Sequence, residues 1–141
     1  MSRLSLSAVA LAAVFGAAAC STDPLFTQPT DTSTPATEVT ETFDGQLTVN
    51  GGVTHPFNVQ RSGAVSARLT AVDPTDVTIG LSLGTWNNAG NTCQIILAND
   101  AAPGGATVIG TASVAGNFCV RVYDVGRLSG PILYSLSVTH F

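Results

Sequence analysis

From Phe43 to the end of the chain, apolar residues recur at every second position, with turn residues breaking the pattern at roughly 8–12-residue spacing. Phe43, Gly45, Leu47 and Val49 share one face, and "NGG" then turns the chain. Val53, His55, Phe57 and Val59 follow, and after "RSG" the inward phase passes to Val65, Ala67, Leu69 and Ala71. Beyond "DPTD" come Val77, Ile79, Leu81 and Leu83. Thr92 to Ala98 is a nearly continuous apolar run, and Thr107 to Val114 reads as a shorter strand after "APGG". Phe118, Val120 and Val122 alternate with Cys119, Arg121 and Tyr123, and Tyr134, Leu136 and Val138 close the pattern. A period of two without a helical period predicts an all-β fold. About eight strands fit, so the expectation is an antiparallel, jelly-roll-like β-sandwich over residues 43–141.

The N-terminus reads differently. Residues 1–19, "MSRLSLSAVALAAVFGAAA", start with one cation, Arg3, and continue as a short apolar stretch ending in small residues. The uninterrupted apolar part, Ala8 to Ala19, is too short for a bilayer core that needs roughly 20 residues. This is the grammar of a secretory signal peptide. The small residues run into Cys20, and "AAAC" resembles the lipobox of bacterial lipoproteins, although Ala17 stands where Leu is usual. The resemblance implies cleavage before Cys20 and acylation of that cysteine, which becomes a membrane anchor. Two or three acyl chains hold firmly where one binds only marginally. Ser21 after the cysteine points to the outer membrane. The alternative is ordinary cleavage and a soluble, secreted protein.

Residues 20–42, beginning at that cysteine, are rich in Thr, Pro and Ser without an apolar period, and they read as a flexible tether. Asp23, Asp31, Glu38, Glu41 and Asp44 give this region an acidic character with no base among them. Beyond it, Arg61, Arg68, Arg121 and Arg127 balance Asp73, Asp76, Asp100 and Asp124, and Lys is absent. Such a surface offers nucleic acid no electrostatic footprint.

Three cysteines leave an odd one in an oxidising compartment. If Cys20 takes lipid, Cys93 and Cys119 remain to form a disulfide. The alternatives are two free thiols or a metal site. The cysteines and the two histidines have no ligand spacing, however.

Three stretches, Gly63-x-Val65-x-x-x-Leu69, "DPTDVTIGLSL" and "GNFCVRVYD" leading to "YSLSV", resemble the bacterial pre-peptidase C-terminal domain, a jelly-roll module found beside secreted proteases. That resemblance implies a role in secretion, targeting or substrate binding, with calcium or extracellular polymers bound by some relatives. It implies no peptidase activity.

Several residues invite chemistry. "GLSLG" matches the Gly-x-Ser-x-Gly elbow around Ser82, but that motif needs a strand-to-helix turn, and strand alternation continues through it. His55 and His140 fall in phase with apolar neighbours and read as partly buried strand residues. Asp73 and Asp76 flank a proline turn, and with Glu41 and Asp44 they are candidate oxygen ligands for calcium. No other cofactor is implied.

Trp86 continues the outward row of Thr78, Gly80, Ser82 and Gly84. Its indole either covers those glycines or stacks on a sugar ring, with Asn87, Asn88 and Asn91 supplying amides and Tyr123 extending the platform. A terminal "YSLSVTHF" suggests an outer-membrane barrel strand, but Ser135, Ser137 and Thr139 share the face of Phe141 and are too polar for lipid. The expected function is a non-catalytic envelope protein that binds polysaccharide or another polymer. The second reading is a docking module for a secreted enzyme or envelope protein complex.

Overall fold

The structure is a computed structural model that describes residues 37–141. The signal peptide, Cys20 and the tether up to residue 36 lie outside the described residues. The strands are β1 (Val39–Leu47), β2 (Gly52–Val59), β3 (Gly63–Asp73), β4 (Ile79–Asn87), β5 (Thr92–Ala102), β6 (Thr107–Ala112), β7 (Gly116–Tyr123) and β8 (Ile132–His140). They form two antiparallel four-stranded sheets, ordered β1-β8-β3-β6 and β2-β7-β4-β5. Only β4 and β5 are both consecutive and adjacent; every other connection passes between sheets. That interleaving is the strand order of an eight-stranded jelly roll.

Alternation places the core. Tyr134, Leu136 and Val138 of β8 and Val65, Ala67 and Leu69 of β3 are buried. They face Ile79, Leu81 and Leu83 of β4 and Val120 and Val122 of β7, also buried. With few large aromatic side chains, burial of aliphatic surface is the main stabilising term, at about 25 cal/mol per Å² removed from water.

The structure departs from the sequence expectation at several places, among them Val49 and Val114, which fall beyond the ends of their strands and are 42% and 69% exposed. β1 starts at Val39, four residues before Phe43. Glu41 takes an inward position in the row of Phe43 and Gly45, and a carboxylate there disguises the strand. In β3 a register shift between Leu69 and Ala71 moves the inward phase by one, so Val72 is buried and Ala71 exposed. This is what a β-bulge does to alternation. The apolar run of β5, whose place in the sheet the sequence left open, forms an exposed edge: Ile95, Ile96 and Leu97 are 41%, 64% and 39% exposed. Leu83 pairs with Leu97 and Gly84 with Ile95, so Ile96 is an extra residue bulged out of the ladder.

Candidate functional site

The outward row of β4 has almost no side chains of its own, yet Gly80, Ser82 and Gly84 are buried. The cover does not come from Trp86. Tyr123 of β7 lies over Gly80, where an added Cβ would sit 2.3 Å from its ring. Its hydroxyl donates to the Asp100 carboxylate, and burial together with that carboxylate pushes its pKa up to about 12. The Arg121 guanidinium lies 5.3 Å from the Tyr123 ring centroid. At Gly84 the cover is β5 itself, for the Gln94 carbonyl oxygen would lie 2.1 Å from an added Cβ. This lean carries Cys93 across to Cys119, and the two form the expected disulfide, with Cα atoms 5.9 Å apart.

Ser82 is fully buried and donates a hydrogen bond to the Arg121 carbonyl oxygen at 3.3 Å. It pairs directly with Arg121 inside a continuous strand, which is not the geometry of a nucleophile elbow.

Trp86 is half-buried at the far end of β4, opposite Cys93. Asn87, Asn88 and Asn91 are exposed at the turn between β4 and β5. The Asn87 side-chain oxygen accepts the amides of Ala89 and Gly90, and Asn91 adopts a left-handed φ of 46°. Both are turn-forming roles. Tyr123 is not part of this group: it pairs with Gly80, six residues from Trp86 along β4 and about 20 Å away at a strand's rise per residue.

The four acidic residues do not converge either. Glu41 stands opposite Val138 and points inward, and Asp44 stands opposite Ser135 and is exposed. Asp73 lies opposite Leu133, about 17 Å from the level of Glu41 along β8. Asp76 is in the following turn. Among the described residues no group of three or more His, Cys, Asp or Glu is placed to hold a metal.

Both histidines face the interior. His140, 2% exposed, bonds Glu41 Oε1 through Nε2 at 2.9 Å, and its ring lies 5.2 Å from that of Phe57. His55 stacks on Phe43 with centroids 4.6 Å apart and shares a 2.8 Å hydrogen bond with the Tyr134 hydroxyl. Burial holds the His55 pKa below its usual value.

The feature the sequence reading did not assign to a site is on the β5–β6 side. An apolar cleft opens between the sheets there, lined by Val65, Leu83, Ile96, Leu97, Gly110 and Phe118. Leu97 reaches across to β6, where a Cβ on Gly110 would lie 3.0 Å from its methyl. β5 carries no Lys, Arg or Pro, the residues that commonly guard sheet edges, and no charge from Thr92 to Asn99. Its bulges blunt the edge, but its aliphatic side chains remain in water. The signal was in the sequence as "CQIILAN", which period counting assigns to a strand without saying whether it lies inside or at an edge.

No protein-family profile matches the chain, and no curated protein does. Among solved structures, the chain is similar to a periplasmic inhibitor of g-type lysozyme, PliG of Aeromonas hydrophila. The two are 14% identical with a TM-score of 0.53, and the match covers 71% of this chain and 84% of that one.

Proposed function

We propose that this chain is a non-catalytic binding module of the bacterial cell envelope that docks another exported protein along its β5–β6 side. The observation that carries this reading is the apolar cleft with Ile96 and Leu97 exposed at its mouth on an uncharged stretch of edge strand. A sheet edge presents unpaired backbone donors and acceptors. An added strand satisfies them while one of its side chains fills the cleft. A sugar chain matches neither the aliphatic lining nor the backbone ladder.

Export is supported by the Cys93–Cys119 disulfide, which persists in oxidising compartments, and by the signal-like N-terminus. Acylation of Cys20 and an outer-membrane location complete the proposal. Kinship with the pre-peptidase C-terminal module rests on the three stretches quoted above. The Aeromonas hydrophila protein gives a precedent for a similar fold in a periplasmic inhibitor of an enzyme, and g-type lysozyme is therefore a defined first probe.

Polysaccharide binding at Trp86 is the second reading, favoured by a half-buried indole beside the exposed Asn88 amide. A photo-reactive residue placed at Ile96, and separately at Trp86, separates the two in intact cells. The docking reading expects one discrete protein adduct from position 96 and none from position 86. Glycan capture at position 86 with no adduct from 96 overturns it.

A further inference from the structure

Three successive inward residues of β1 end on the histidine pair. Glu41 bonds His140 at 2.9 Å, and Phe43 lies against the His55 ring. Gly45 sits under Tyr134, whose hydroxyl oxygen would be 2.6 Å from an added Cβ and which bonds His55 at 2.8 Å. Among the described residues β1 is an edge strand whose one sheet neighbour is β8, so these contacts set how firmly its side chains hold to the interior. It is also the strand through which the domain joins the preceding chain.

We propose that β1 is an acid-sensitive latch: proton uptake by His55 loosens Val39–Leu47 from the interior of the sandwich. The surroundings of the two histidines differ. His140 Nε2 lies 2.9 Å from the Glu41 carboxylate. From β1, His55 is faced by Phe43 with Glu41 next along the row, and from β8 by the neutral Tyr134 hydroxyl. Its β2 row neighbours Val53 and Phe57 and its β7 partner Val120 are uncharged. Asp44 points away from the interior and is exposed, and His140 is engaged by Glu41. A proton on His55 is therefore an uncompensated charge in an aromatic setting, where desolvation disfavours it.

The sign follows. Burial lowers the folded-state pKa of His55, so its contribution to stability is fully present above the unfolded value near 6.5 and is lost as pH falls below it. One proton makes the open population grow by at most about tenfold per pH unit.

The test is amide exchange of the full-length protein near pH 7.5 and near pH 5.5, corrected for the intrinsic chemical rate. The expected result is a loss of protection in residues 40–46, by up to about tenfold per pH unit below about 6.5, with β3 unchanged. His55→Phe removes that pH dependence and Glu41→Gln keeps it. If the His55→Phe variant does not fold, His55→Gln serves in its place. Equal loss in every strand, no loss in β1, or a loss that persists without His55 overturns the proposal.

Discussion

Cys93 and Cys119 lie on strands that are not neighbours: β4 runs between β5 and β7, and the disulfide spans it. The crossing works because Gly84 has no side chain where the Gln94 carbonyl passes. With the cysteines 26 residues apart in sequence, the chain-entropy estimate for the link is about 3.5 kcal/mol. Replacing both cysteines by Ser should cost that much in urea unfolding. Gly84→Ala forces β5 outward and should cost about 1–3 kcal/mol even in the Ser background, while leaving free thiols in the wild-type background. A Gly84→Ala protein with a closed disulfide and an unchanged midpoint would refute this account of the crossing.

Alternation made most strands readable because one face of each packs into the core, whereas β5, buried only at Ala102, was readable from its continuous apolar run. Alternation failed where a second surface decided burial. Gly80, Ser82 and Gly84 read as outward, and they are outward, but Tyr123 and the leaning β5 cover them from strands distant in sequence or turned back on it. Glu41 hid the start of β1 because its partner, His140, lies 99 residues away. The run Ile95-Ile96-Leu97 reads as strand in any environment, and only the sheet order reveals it as an edge. The disulfide was legible from cysteine arithmetic once the lipobox resemblance set Cys20 aside, whereas the dispersed positions of Glu41, Asp44, Asp73 and Asp76 depend on register that one chain does not disclose.

Ser82 tests whether the Gly-x-Ser-x-Gly match carries chemistry. Its hydroxyl is buried and bonded to the Arg121 carbonyl. Ser82→Ala should lower stability by about 0.5–1.5 kcal/mol, the usual loss of one internal hydrogen bond, and leave partner binding untouched. A variant that abolishes a hydrolytic activity of the purified protein would place Ser82 in a catalytic role.

Two adjacent residues of β5 separate docking from folding. Ile96 is bulged and 64% exposed, so Ile96→Asp should change stability by no more than about 0.5 kcal/mol while removing the protein adduct. Leu97 packs against Gly110, and Leu97→Ala should cost about 1–2 kcal/mol for the buried part of its side chain. An Ile96→Asp protein that is stable and still captures the same partner would move the docking site elsewhere.

The two tyrosines report on alkaline stability. Burial, with Asp100 beside Tyr123 and Asp44 acting on Tyr134, raises both phenol pKa values, that of Tyr123 to about 12. A raised folded-state pKa means stability that is whole below the unfolded value near 10 and lost as pH rises above it. Ultraviolet titration of the native protein should show both phenolate steps displaced upward from the free-tyrosine value, and Tyr123→Phe should leave only the Tyr134 step. A full two-phenol step near pH 10 in folded protein would contradict the positions of both hydroxyls.

Trp86 is the one tryptophan, and it sits opposite Cys93 on the same face of the sheet. A disulfide beside an indole quenches its fluorescence by accepting an excited electron. The Cys93→Ser, Cys119→Ser protein should therefore emit more strongly than wild type under folded conditions. The same emission discriminates between the two functional readings, since a sugar ring stacked on the indole displaces water from it and shifts its spectrum. Docking at β5–β6 leaves Trp86 in its present environment, so titration with envelope polysaccharide should leave the wild-type spectrum unchanged. A saturable shift, lost when Asn88 is replaced by Ala, would instead place the ligand at the β4–β5 turn and make polymer binding the better account of the protein.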